Sequence, residues 1–165
     1  MISLHCRSVA DTHGVASALA QLARTGDVLI LSGDMGAGKT AFAQGFADAL
    51  GVDEPVTSPT FTLVHTYDTG RVNLHHADLY RLDRMSEVAD LALAELVEGD
   101  GILLVEWGEP AASMLGDHLE VRLRHDDNDD DARFVTLRGV GRAWAARWER
   151  LEAAVAPWRV RETPC

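Results

Sequence analysis

The sequence predicts one α/β domain, a three-layer sandwich with parallel central strands and antiparallel additions. Three observations carry this reading. Val28-Leu29-Ile30-Leu31 and Ile102-Leu103-Leu104-Val105 are short all-apolar runs, as expected of strands covered on both faces. Segments with apolar residues three and four apart alternate with such runs, the order of an α/β fold. Two further pairs of strand-like runs are joined by short polar stretches, as in antiparallel hairpins. The 165 residues amount to about one domain; it is drawn over residues 1–156, with 157–165 as a loose tail.

Ile2-Ser3-Leu4-His5-Cys6 alternates and reads as the first strand. Asp11-Thr12 offers a helix N-cap ahead of Val15, Ala18, Leu19 and Leu22, with Gly26 as the stop. Val28 to Leu31 is the first buried strand. A glycine-rich turn, Gly33 to Thr40, leads into an Ala/Phe-rich helix that ends at Leu50 with Gly51 as its C-cap. Residues 55–59 form a loop. Phe61 to Tyr67 and Val72 to Ala77 make a hairpin around residues 68–71. Ser86 caps a helix through Val88, Leu91, Ala94 and Leu96 to Gly99, and Ile102 to Val105 is the second buried strand. Leu119 to Leu123 and Phe134 to Leu137 form a second hairpin around an acidic loop, and Ala143 to Val155 is a helix.

Charge narrows the function. The chain has 15 basic and 26 acidic residues, a formal net charge of −11. A nucleic-acid binder working alone carries a basic footprint to displace counterions, so direct RNA binding is not expected. The carboxylates at Asp126, Asp127, Asp129, Asp130 and Asp131 read as a solvated loop, and the arginines from Arg133 to Arg161 as a solvated helix face. No apolar run approaches the ~18 residues that would suggest a membrane span. The N-terminal residues show no secretion signal, and Cys6 and Cys165 have no partner at zinc or redox spacing; the expectation is a cytoplasmic protein with reduced thiols.

The basic residues are fourteen arginines and a single lysine, Lys39. That lysine lies in Gly33-Asp34-Met35-Gly36-Ala37-Gly38-Lys39-Thr40, which fits the P-loop pattern G-x-x-x-x-G-K-[ST] at every fixed position. The glycines let backbone amides close on phosphate oxygens, and the helix beginning at the lysine adds its positive end. Lys39 would reach the outer phosphates and the Thr40 hydroxyl would ligate Mg2+. A strand before and a helix after complete the context, so the sandwich is expected to be P-loop NTPase-like. Glu106 closes its strand as the acid for metal and water, and Asp78 ends the other strand candidate, where a carboxylate holds a metal-bound water or positions the attacking one. His75 and His76 lack a third ligand at tetrahedral spacing, which argues against a zinc site, and one of them is expected to pack inward. Ser58-Pro59-Thr60 lies where switch loops sense the γ-phosphate, with the Thr60 hydroxyl in reach of phosphate or metal; a plain Pro turn is the alternative reading. Guanine recognition by an Asn/Thr-Lys-x-Asp motif would need a second lysine, so ATP is favoured by elimination.

Together with the P-loop, Ser-Pro-Thr-Phe-Thr-Leu-Val at 58–64, His-Ala-Asp-Leu-Tyr-Arg-Leu at 76–82 and Leu-Val-Glu-Trp at 104–107 resemble the TsaE family, over about Ser8 to Arg138. The resemblance implies a bacterial ATPase of tRNA threonylcarbamoyladenosine biosynthesis. It would act on the TsaD–TsaB pair, which modifies the adenosine beside the anticodon in tRNAs reading A-starting codons, and would reset that machine between turnovers. By the same resemblance, Lys39 holds phosphate, Thr40 and Glu106 ligate Mg2+, Asp78 supports hydrolysis, Thr60 belongs to a switch and Trp107 serves the active-site geometry or a partner contact. The tRNA would be met only through the complex, which suits the acidic charge. Ala41 stands where a second Thr is common, and Asp131-Ala132-Arg133 resembles a segment near the nucleotide in relatives. A P-loop small-molecule kinase, with Arg81 and Arg84 as lid candidates, is the alternative enzyme. A docking subunit that binds ATP without turnover is the alternative outside catalysis.

Overall fold

The two all-apolar runs lie side by side at the centre of one mixed sheet. The computed structural model describes residues 1–59, 63–82, 92–99 and 101–160. Within them the strands are β1 (Ile2–Cys6), β2 (Val28–Ser32), β3 (Val64–Asp68), β4 (Asn73–Asp78), β5 (Gly101–Glu106), β6 (His118–Asp126) and β7 (Asp129–Val140), in the order β1-β7-β6-β2-β5-β4-β3. β2 pairs in parallel with both β5 and β6, and β4 pairs in parallel with β5. The β3–β4, β6–β7 and β1–β7 pairs are antiparallel. The expected parallel centre with antiparallel additions is therefore the observed arrangement.

The helices are α1 (Val9–Leu22), α2 (Lys39–Leu50), α3 (Leu93–Glu98), α4 (Ala112–Leu115) and α5 (Trp148–Ala154). Alternation along β2 and β5 divides their side chains between two cores. Leu29, Leu31, Ile102 and Leu104 join Leu19 of α1, Phe42 and Phe46 of α2 and Leu151 of α5. Val28, Ile30, Leu103 and Val105 join Leu93 of α3 and Ala111 on the other face. Burying both faces explains why these strands carry no polar residue before Ser32 and Glu106.

Several boundaries differ from the expected ones, each for a local reason. α1 starts at Val9, not after Asp11-Thr12. Ser8 is the N-cap, its Oγ accepting from Asp11 N at 3.2 Å, while the Asp11 carboxylate accepts from Arg7 N at 2.8 Å. The acidic run is mostly strand: β6 and β7 extend until only Asp127 and Asn128 remain at the tip. Side-chain oxygens of Asp126 and Asp129 accept from the backbone of Asn128 (3.0 Å) and Asp131 (3.0 Å). Arg133 and Arg138 consequently lie on a strand, not on a helix face. The expected helix over 143–155 divides into a 3₁₀ turn, Ala145–Arg147, and α5. The Arg147 guanidinium donates to Ala143 O at 2.7 Å, and the Arg147 backbone N–H turns to Trp144 O at 3.0 Å.

The tail is tied down as far as it is described. Ala156–Trp158 forms a 3₁₀ turn, Trp158 Nε1 donates to Asp11 Oδ1 at 3.0 Å, and Val160 N donates to Ser3 O at 3.0 Å. The loose-tail expectation is thus corrected for residues 157–160; residues 161–165 lie outside the described residues. So do Thr60 of the expected switch, the start of the expected hairpin at Phe61, Arg84, and Ser86 to Leu91 of the expected helix. Among the described residues, no helix is long and apolar enough to cross a membrane.

Candidate functional site

β2, β4 and β5 end together, and the residues just past their ends build one pocket. The loop after β2 turns on glycines that no other residue replaces. Gly33 has φ +137°, and a Cβ there would lie 2.2 Å from Leu123 O of β6. Gly38, at φ +102°, is the N-cap of α2, so the first amides of a twelve-residue helix face the pocket mouth. Lys39 is the first residue of that helix and is 5% exposed. Its Nζ donates to Gly33 O (2.6 Å) and Asp34 O (2.8 Å) and lies 4.0 Å above the centroid of the Trp107 ring. Removal from water lowers its pKa below the usual lysine value, against the opposing pull of the carboxylates of Glu106, Glu109, Asp34 and Asp78.

Two acids enter from the neighbouring strand ends. Asp78 and Glu106 are register partners on β4 and β5, 5% and 3% exposed. The Thr40 hydroxyl lies 3.3 Å from both Glu106 oxygens, and His76 Nε2 lies 2.8 Å from Glu106 Oε1. Asp78 Oδ2 accepts from Ser58 Oγ at 2.5 Å and Oδ1 from Tyr80 N at 2.9 Å, a turn that lifts the Tyr80 ring beside Trp107 at 5.0 Å between centroids. Trp107 follows β5 with φ +57°, a conformation that costs a non-glycine residue about 1–3 kcal/mol and is kept where the surroundings impose it. Its N–H, bonded to Leu31 O at 3.0 Å, fixes it against the end of β2 and brings the indole under Lys39.

The resulting cavity measures about 450 Å³. Met35, Gly36, Gly38, Lys39, Thr40, Asp78, Glu106 and Trp107 all line it. Gly33 and Asp34 contribute carbonyls to Lys39 from behind, and Ala37 is buried beneath the loop. Thr60 lies outside the described residues. Ser58, Tyr80 and Arg81 also line the cavity. Tyr80 stands two residues beyond the end of β4, so the Asp-Leu-Tyr run could have suggested it. His75 and His76 take separate partners, Thr66 Oγ1 at 2.8 Å for His75 and Glu106 for His76, which is more than a packing role. The two-residue period of β4 places His76 on the face of Asp78, a signal the sequence held. Arg133 reaches the loop from β7, its Nε donating to Ala37 O at 3.1 Å, a contact no spacing announces.

The chemistry of this donor set is hard and oxygen-rich. Among the described residues, no cluster of three or more His, Cys, Asp or Glu side chains is placed to hold a metal ion. A hydroxyl and one carboxylate beside the glycine loop instead fit a hard cation that keeps most of its shell as water and ligand oxygens, as Mg2+ does.

Comparison with known proteins decides the family. The model of the family described as "Threonylcarbamoyl adenosine biosynthesis protein TsaE" matches residues 6–135. The chain belongs to the TsaE family. It is 40% identical over 142 residues to the tRNA threonylcarbamoyladenosine biosynthesis protein TsaE of Bacillus subtilis, covering 86% of this chain and 87% of that one. The TsaE of Streptomyces coelicolor is 42% identical over 134 residues, covering 77% and 89%. The crystal structure of Bacillus subtilis YdiB superposes with a TM-score of 0.78 at 33% identity, over 93% of this chain and 97% of that one. These findings support a part in tRNA threonylcarbamoyladenosine biosynthesis and an α/β P-loop NTPase-like fold for this TsaE-family chain.

Proposed function

We propose that this TsaE-family chain binds ATP with Mg2+ and hydrolyses it slowly, as the cytoplasmic subunit that lets the TsaD–TsaB pair turn over repeatedly on tRNA. The observation that carries the nucleotide part is one cavity in which the only lysine, the Thr40 hydroxyl and the Glu106 carboxylate meet at the N-terminus of α2. Lys39 is held by neutral carbonyls that a triphosphate outcompetes as a partner for an ammonium. Its Nζ and the amides of Gly38 to Thr40 would bind the phosphate tail, and Thr40 and Glu106 would hold the cation. When bound there, Mg2+ would supply positive charge to offset that of the phosphate oxygens. Asp78, fixed by Ser58 and by the Tyr80 amide, would orient the attacking water; Thr60 is assigned to γ-phosphate sensing and Trp107 to holding Lys39 in place. The lack of a lysine for guanine recognition favours ATP, and the net charge of −11 agrees with tRNA held by partners.

Glu106→Gln separates the readings. It is expected to retain ATP binding, lose turnover and stop tRNA modification after the first cycles in a reconstituted TsaD–TsaB system. Normal modification over many cycles would show that hydrolysis is not the function. Co-purification with the TsaD–TsaB pair, with and without ATP, tests the partners. Arg81 at the cavity is the feature that keeps phosphoryl transfer to a small metabolite as the alternative; phosphorylation of a metabolite panel by the isolated chain would select it.

A further inference from the structure

Resting on the Mg2+–nucleotide reading above, we infer that His76 is a positioning residue that holds the Glu106 carboxylate in place for the cation. His76 stands on β4 opposite Leu104 of β5, on the sheet face that α1 and α2 cover, and it is 0% exposed. Its strand neighbour on that face, Leu74, and its partner Leu104 are both core residues. An imidazole among them has lost its water, a cost that leucine would not bear.

Among the described residues, only one of its nitrogens finds a partner. Nδ1 is buried without a hydrogen-bond partner among the described residues, whereas Nε2 lies 2.8 Å from Glu106 Oε1. Carboxylate oxygens only accept, so Nε2 carries the hydrogen and donates it. The bonded nitrogen is the one that faces the pocket acid. The second group on Glu106 is the Thr40 hydroxyl, at 3.3 Å from each oxygen. Once Thr40 turns its oxygen to a cation, that contact is given up, and the His76 hydrogen bond remains to fix the carboxylate plane. With Oε1 held from the core side, Oε2 is the oxygen left for the cation or its water. Partners of this kind, one shell behind a metal-binding oxygen, typically change metal affinity about 10- to 100-fold when removed.

The test is calorimetric titration of ATP into the full-length chain, with Mg2+ and with the metal chelated, alongside thermal unfolding. His76→Leu is expected to bind metal-free ATP within about twofold of wild type and to lose roughly tenfold or more of the Mg2+-dependent gain in affinity. It should unfold cooperatively, the hydrogen bond lost by the buried Glu106 carboxylate being offset in part by removal of an imidazole whose Nδ1 has no partner among the described residues. His76→Gln, whose amide N–H extends from the same position, should recover most of the gain. In a Glu106→Gln background, His76→Leu should change nothing further. A folded His76→Leu with the full Mg2+ gain overturns the proposal, as does equal loss of metal-free and metal-dependent binding, or additivity with Glu106→Gln. Should His76→Leu fail to fold, His76→Met carries the same expectation; if neither folds, His76 is structural and the proposal falls. A wild-type chain whose ATP affinity ignores Mg2+ overturns the nucleotide reading itself and this inference with it.

Discussion

Just before β2, Asp27 receives two hydrogen bonds from Arg147, at 2.6 and 2.8 Å. The same guanidinium donates to Leu22 O (2.8 Å) and Ala143 O (2.7 Å) and lies over the Trp144 ring at 4.2 Å. Just after β2, Lys39 also lies buried, but its partners are two carbonyls of its own loop and the Trp107 ring, and a cavity of about 450 Å³ opens beside it. Both cations are about 5% exposed or less. What separates them is the partner. Arg147 is matched by an opposite charge supplied by the fold, which makes it a staple between the 143–154 segment and the start of β2. Lys39 is matched by neutral dipoles, and that arrangement leaves a charge for a ligand to neutralise.

Substitutions at the two ends should therefore fail differently. The largest effect is expected from Arg147→Ala, which leaves Asp27 buried without its counter-charge. Urea unfolding should show a loss of about 3–5 kcal/mol, with nucleotide affinity of the folded fraction unchanged. A stable Arg147→Ala protein would break the comparison. Lys39→Ala should do the reverse: nucleotide affinity falls roughly 10- to 100-fold by calorimetry, as when hydrogen bonds to a charged group are lost, while stability holds or rises. Unchanged affinity would remove the lysine from the ligand side. Gly33→Ala should cost about 1–3 kcal/mol in thermal unfolding, since its Cβ meets Leu123 O at 2.2 Å in a left-handed conformation, and it should weaken nucleotide binding as well.

The smallest effect is a pH dependence. The Lys39 pKa is lowered from 10.5 in the folded chain by burial. Nucleotide affinity should begin to fall with rising pH before a free lysine would titrate, because the neutral amine no longer matches phosphate. The effect on stability has the opposite sign. Between the lowered value and 10.5 the unfolded chain binds more protons, so Lys39's contribution to stability increases with pH across that window. Titration calorimetry and unfolding of wild type against Lys39→Ala read both; identical profiles for the two proteins would refute the assignment.

Much of the fold and site is legible in the chain because it is local. The apolar runs of β2 and β5, the turn glycines and the helix beginning at Lys39 depend on residues adjacent in the chain. The acids Asp78 and Glu106 can be placed at strand ends for the same reason. The start of α1 is misplaced at Asp11-Thr12 because those residue types also suit a cap; the Ser8 Oγ to Asp11 N hydrogen bond places it at Ser8. The acidic run misleads because charge density suggests a loop, whereas the pairing of β6 with β7 outweighs it.

The sequence by itself determined that a glycine-rich turn of P-loop pattern sits between a buried strand and a helix, because backbone conformation there is set by glycines at fixed spacing. Tertiary structure alone decided that Arg133 of β7 props the turn, that His76 holds Glu106 from the core, and that Trp158 closes onto Asp11. Those contacts join residues 30 to 147 positions apart. Their direction depends on which strands pair and which faces are covered, and that is a property of the whole packed chain.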